Sequence, residues 1–192
     1  YNTFIGAESG LVGSGSAVDE NTALGFASLK ALTSGSRNTS LGAYAAQQMV
    51  NASDTVAIGY YTLANALTST DINGSVAIGS FSQAENKTGI SNTSVGFEAL
   101  KVEVNGDKST AIGYSSLKNQ TGTSGAVSNT ALGFASGDSI TTGTSCTIIG
   151  SEADPSAHNS INQTVIGQGA TGQVNNSVVL GNASVDRVYA AQ

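Results

Sequence analysis

His158 is the only histidine of the chain and stands four residues after Asp154 in Ala153-Asp154-Pro155-Ser156-Ala157-His158. A histidine and a carboxylate at that spacing are competent ligands for a transition metal. An exposed loop histidine beside a proline turn accounts for the same residues, so no metal site is assigned. Cleavage of a polysaccharide needs two positioned carboxylates, and the acids available are Asp54, Asp71, Glu85, Glu98, Glu103, Asp107 and Asp138. No two fall at equivalent places in adjacent repeats; Glu8, Glu98 and Glu152 each stand two residues past a repeated glycine, but Glu98 and Glu152 are three repeats apart and cannot meet, so the acids read as solvated surface. Cys146 is the single cysteine, which excludes an internal disulfide and leaves packing as its role. No catalytic, cofactor-binding or metal-binding residue is assigned, and the chain is expected not to be an enzyme.

The elements that position these residues follow from a repeat. Eleven times the chain writes a β-branched residue, any residue, an Ile, Leu or Val, and Gly, from Thr3-Phe4-Ile5-Gly6 to Val178-Val179-Leu180-Gly181. From Gly25 onward the motif glycines are spaced 17, 17 and 20 residues apart, a super-period of 54 residues, and the last gap is 14. Regularity of this kind is the signature of stacked rungs. The chain is therefore expected to be all-β, a repeat β-solenoid or β-roll of about eleven rungs of 14–20 residues, forming a single domain over 1–192.

Within a rung the first and third motif residues share one face of a short strand and the second points the other way. The second-position face reads Phe4, Ala23, Ser40, Ala57, Ala77, Ser94, Ala111, Ala131, Ile148, Val165 and Val179. The motif Gly marks positive φ or close backbone approach, and three residues past it the side chain is always small, as at Ser28, Ala45 and Ala99. Phe26 to Leu32 has a helical look, but seven uncapped residues are marginal as a helix and the repeat governs. The 20-residue gaps place extra residues in the turns Thr68 to Ser75 and Thr121 to Asn129. A column with Ala and Ser along one strand face offers little apolar area, so neighbouring copies are expected to cover that face in an obligate homotrimer.

Eight aromatic residues keep the phase of the repeat. Phe26, Tyr60, Phe97, Tyr114 and Phe134 directly follow the motif Gly, and Tyr44, Tyr61 and Phe81 come one later. A ladder buried between subunits explains this spacing, and an exposed binding stripe is the alternative. Tyr44 and Tyr61, off phase and polar at the tip, are expected to be the exposed ones. The candidate receptor contacts are Tyr44, Tyr61, Asp71 and Asn73 in the first long turn, and His158.

Charge excludes other partners. Thirteen acidic residues against seven basic ones give a net charge of −6, with no Lys or Arg cluster, so nucleic acid is not expected. No 18-residue apolar run exists, so no membrane insertion is expected either.

The units Asn21 to Leu29 (N-T-A-L-G-F-A-S-L), Asn92 to Leu100 (N-T-S-V-G-F-E-A-L) and Thr55 to Leu63 (T-V-A-I-G-Y-Y-T-L) resemble the repeats of phage and related viral tail fibres. Asn176 to Ser184, N-S-V-V-L-G-N-A-S, is similar to the head repeats of trimeric autotransporter adhesins. The resemblance implies a homotrimer of left-handed, parallel β-rolls that is extracellular, carried on a virion tail fibre, and contacts a glycan or protein receptor on a host cell. A bacterial adhesin head on the cell surface is the alternative, and a polysaccharide-degrading tail protein a third. Residues 182–192 resemble the junction at which tail fibres pass into a C-terminal chaperone. Left-handed parallel-helix acyltransferases use one interfacial histidine as a base. Their apolar period is six, however, and six past Leu24 stands Lys30.

Overall fold

The structure, a computed structural model, describes residues 1–10, 17–66, 72–122 and 125–188. The eleven motifs form one parallel sheet of eleven short strands, from Thr3–Ile5 to Ser177–Leu180, whose order follows the sequence. Equivalent residues lie side by side: Thr22 against Thr39, Ala23 against Ser40, Leu24 against Leu41, and likewise along the stack. The result is a β-solenoid of about ten turns with no helix among the described residues. Phe26 to Ala31 is turn, with no helix at Leu32 either.

The motif glycine is required twice over. Its φ lies between +123° and +142° in rungs one to ten, a region hostile to a Cβ. A Cβ on Gly113 would also stand 2.1 Å from the carbonyl oxygen of Gly133 in the next rung. Past the glycine the chain does something the sequence does not announce. The second and fourth residues, such as Ala27 and Leu29, Tyr61 and Leu63, or Glu98 and Leu100, are in the left-handed region although none is glycine. So are the residues two before the motif, among them Arg37, Asp54, Lys108 and Ser128. Such conformations cost roughly 1–3 kcal/mol each and persist only where the surroundings over-determine them. Here rung-to-rung hydrogen bonds do so, with Ala27 N–H donating to Ala7 O at 2.9 Å and Leu29 N–H to Ala45 O at 3.1 Å.

The Ala and Ser face is the interior of the roll, not a surface between subunits. Ala57, Ala77, Ala111 and Ala131, expected at a subunit boundary, are 0–1 % exposed within the single chain. The reason is local. Leu29, Leu63, Leu100 and Leu117, four residues past their glycines, fold back over the small side chains, and all four are fully buried. Volume is balanced within the rung. Where the inner residue is Phe4, the residue four past the glycine is Gly10, whose Cβ would overlap the Phe4 ring at 2.2 Å.

Asn21, Asn38, Asn92 and Asn129, each just before its motif, are buried and run as a ladder. The Oδ1 of Asn38 accepts from Thr55 N–H at 3.1 Å, while its Nδ2 donates to Ala52 O at 2.7 Å. A polar belt separates the two apolar core clusters. That belt is Ser82, Gln83, Asn86 and Ser94, and within the rungs of the second cluster Glu103 is also fully buried, contrary to the solvated role expected for it. Its Oε1 accepts the N–H groups of Val104, Asn105 and Gly106 at 2.6–3.1 Å, and its Oε2 accepts from Gln120 Nε2 at 2.5 Å. Cys146 is buried in the Asn slot, its N–H bound to Asn129 Oδ1, and burial pushes its thiol above the usual range.

Candidate functional site: the outward sheet face and its aromatic border

Because the small residues point inward, strand alternation turns the first and third motif residues outward. The third-position column is large and apolar, and much of it is bare: Ile5 57 %, Leu24 44 %, Leu132 47 % and Leu180 48 % exposed. Ile58, Ile78, Val95 and Ile149 continue it half-buried. The first-position column beside it is Thr in eight rungs and Val in three. At the roughly 4.8 Å spacing of paired strands, eleven rungs give a face on the order of 50 Å long.

The aromatic residues border this face at the glycine end of the strands. Their rings form an unbroken column from Phe26 to Phe134 with centroids 5.2–6.1 Å apart. It is edge-to-face at the start and stacked at the end, where Phe97, Tyr114 and Phe134 lie within 14–17° of parallel. The expected order of exposure is reversed. Tyr60, Tyr114 and Phe134, directly after the glycine, are 48–50 % exposed, whereas Tyr44 and Tyr61 are half-buried. The left-handed φ at Tyr44 and Tyr61 accounts for this, turning the second residue back against the roll.

The five expected receptor contacts do not form one site. The Tyr44 and Tyr61 rings meet at 6.1 Å. Asp71 lies outside the described residues. Asn73 precedes its strand, at the opposite end from Tyr61, and its Oδ1 is occupied by Ser53 N–H at 2.6 Å. His158 is exposed five rungs along, its Nδ1 hydrogen-bonded with Thr141 Oγ1 at 3.0 Å, and its carbonyl accepts from Thr141, Thr142 and Gly143. Asp154 does not join it, since its Oδ1 accepts from Ser139 Oγ at 2.8 Å. Among the described residues no three His, Cys, Asp or Glu side chains are placed to hold a metal ion.

Charges are organised by rung. The second position past the motif Gly and the fifth position of the next rung lie side by side, so Lys30 Nζ holds Glu8 at 2.7 Å and Lys118 Nζ holds Glu98 at 2.5 Å. Lys101 also holds Glu98, at 2.6 Å, and its ammonium lies 5.5 Å from the centroid of the Phe81 ring. Hydrogen bonds from Lys101 and Lys118 hold the Glu98 carboxyl below its ordinary pKa. Beyond the last aromatic ring is an open cleft of about 380 Å³ lined by Tyr114, Lys118, Phe134, Asp138, Glu152 and Asp154. Burial, then the charges of Asp154 and Glu152, push the Asp138 carboxyl above its ordinary pKa against the opposing pull of Lys118. The spacing of Glu8, Glu98 and Glu152, each two past a motif glycine, was the one sequence signal for this arrangement.

No family model matches the chain, and neither a curated protein nor a solved structure matches it.

Proposed function

We propose that this protein is the shaft or head of a homotrimeric fibre that contacts a cell surface, the role its motifs share with phage-type tail fibres. One observation carries the reading: a continuous apolar face runs the whole length of the roll, on the outside of a core that the chain has already closed for itself. Apolar surface of that extent marks an interaction site. Its occupant must match a lattice of side chains repeating at every rung, and another copy of the same roll has that pitch. Three copies set parallel about an axis would each turn the Ile, Leu and Val column inward and leave the aromatic border at the rim of the contact. The fibre would act outside the cell, and its repeated shallow surface would suit weak sites multiplied by avidity.

Sedimentation equilibrium on the purified chain tests the assembly, with a trimer expected and a stable monomer contradicting it. Attachment is a separate question. Binding of the assembled protein to candidate host cells should fall on Tyr60→Ala if the aromatic border meets the receptor; undiminished binding would move the receptor site off this border.

A further inference from the structure

Three rungs along the roll from Glu98, the same lattice position is occupied by Glu152, 54 residues later. The carboxylates at this position in the other two rungs are each held by an ammonium group of this chain: Glu8 by Lys30, and Glu98 by Lys118 and Lys101. At Glu152 the lysine is missing. The residue that corresponds to Lys118 is Gly172, the one that corresponds to Lys101 is Pro155, and the rung before Glu152 places Asp138 where the two rungs preceding it have lysine.

The aromatic column stops at the same place. Phe134 stacks on Tyr114 at 5.4 Å, but the next rung offers Ser151 after its glycine, so the far face of Phe134 has no ring upon it among the described residues. Lack of a lysine and lack of a ring coincide in the 380 Å³ cleft.

We infer that this cleft takes a lysine side chain of a partner protein, its methylenes laid on the Phe134 ring and its ammonium between Glu152 and Asp138. The chain carries a template for that arrangement in Lys101, whose ammonium sits beside Glu98 and near the face of Phe81. An aromatic face and a carboxylate act together on a cation. Lys118 also lines the cleft and offsets part of its charge, but its ammonium is bound to Glu98, and the cleft keeps three carboxylates against that one shared cation. An anionic ligand is disfavoured by three carboxylates, and the raised pKa of Asp138 fits an acid group that lacks its counterion. The site belongs to one chain and stands whether or not the fibre reading does.

The test is a titration of the assembled protein with Nα-acetyl-lysine methylamide, followed by NMR or calorimetry. Saturable binding at about millimolar concentration is expected, weakening as salt is raised. The norleucine counterpart, lacking the ammonium, should not saturate. Glu152→Gln, at an exposed position where folding is not at stake, should weaken binding about threefold or more. Asp138→Lys restores the lysine at its place in the lattice, and it should remove probe binding while raising the melting temperature. The inference is overturned if the norleucine compound binds as well as the lysine compound, if Glu152→Gln leaves the affinity unchanged, or if glucosamine binds more tightly than either, which would make the cleft a sugar site.

Discussion

The two faces of the eleven-stranded sheet are built from alternate residues of the same four-letter motif, yet they differ in nearly every physical respect. The inward face is Ala, Ser and a few larger groups, buried in nine of the eleven rungs and covered in four of them by a leucine of the same rung. The outward face is Ile, Leu, Val and Thr, much of it bare in the single chain. Small residues are therefore a sign of a finished core and large ones of an unfinished surface. A narrow roll has no room for two large side chains in one rung, so bulk is displaced to the side where another molecule can meet it.

The sharpest way to break this contrast is to charge each face in turn. Ala77→Glu puts a carboxylate without partners into the core and should abolish the fold itself, read as loss of β circular dichroism. Leu132→Asp on the outward face should leave a folded roll that no longer assembles. Equal damage from both would erase the distinction. Close behind is Gly113→Ala, where the added Cβ meets Gly133 O at 2.1 Å; a loss of about 3 kcal/mol or more is expected in thermal or denaturant melts, from left-handed strain plus overlap.

The buried polar groups give a smaller effect. Glu103→Ala strands three backbone N–H groups and the Gln120 amide, and it should cost about 3 kcal/mol, with Glu103→Gln milder. Asn38→Ala, which frees Thr55 N–H and Ala52 O, should cost about 1–2 kcal/mol. Both would show that polar groups inside the roll are structural, while those outside are not.

The smallest effects belong to the charged border, and there pH separates the residues. The lowered carboxyl of Glu98 contributes stability above its ordinary pKa, and that contribution disappears as pH falls through its depressed value. The difference in melting temperature between the native chain and Glu98→Gln should therefore vanish in acid. Asp138 has the opposite sign: its raised carboxyl opposes folding once ionised, so Asp138→Asn should stabilise at neutral pH and be indifferent in strong acid.

Much of the fold was legible in the sequence, because the motif fixes strand, register and glycine at once. Parallel in-register stacking, the tight position at Ser28 and Ala45, and the burial of Cys146 all follow from spacing. Which face looks inward did not follow. Alternation says only that the faces differ, and the deciding fact is the return of Leu29 and its equivalents over the alanines, which depends on left-handed residues such as Ala27 and Tyr61 that no residue type marks. The same backbone detail reversed the exposure expected for Tyr61 and Tyr60. Glu103 was misjudged because a lone acid reads as surface, and the backbone nest that holds it has no side-chain signature.

The central claim is that the outward face is closed by copies of the chain. Sedimentation equilibrium at micromolar concentration, run on the native chain and on Leu132→Asp with circular dichroism alongside, tests it most directly. The account predicts three chains for the native protein and a folded single chain for the variant. A native chain that sediments as a stable folded monomer, with its Ile and Leu column open to water, would contradict it.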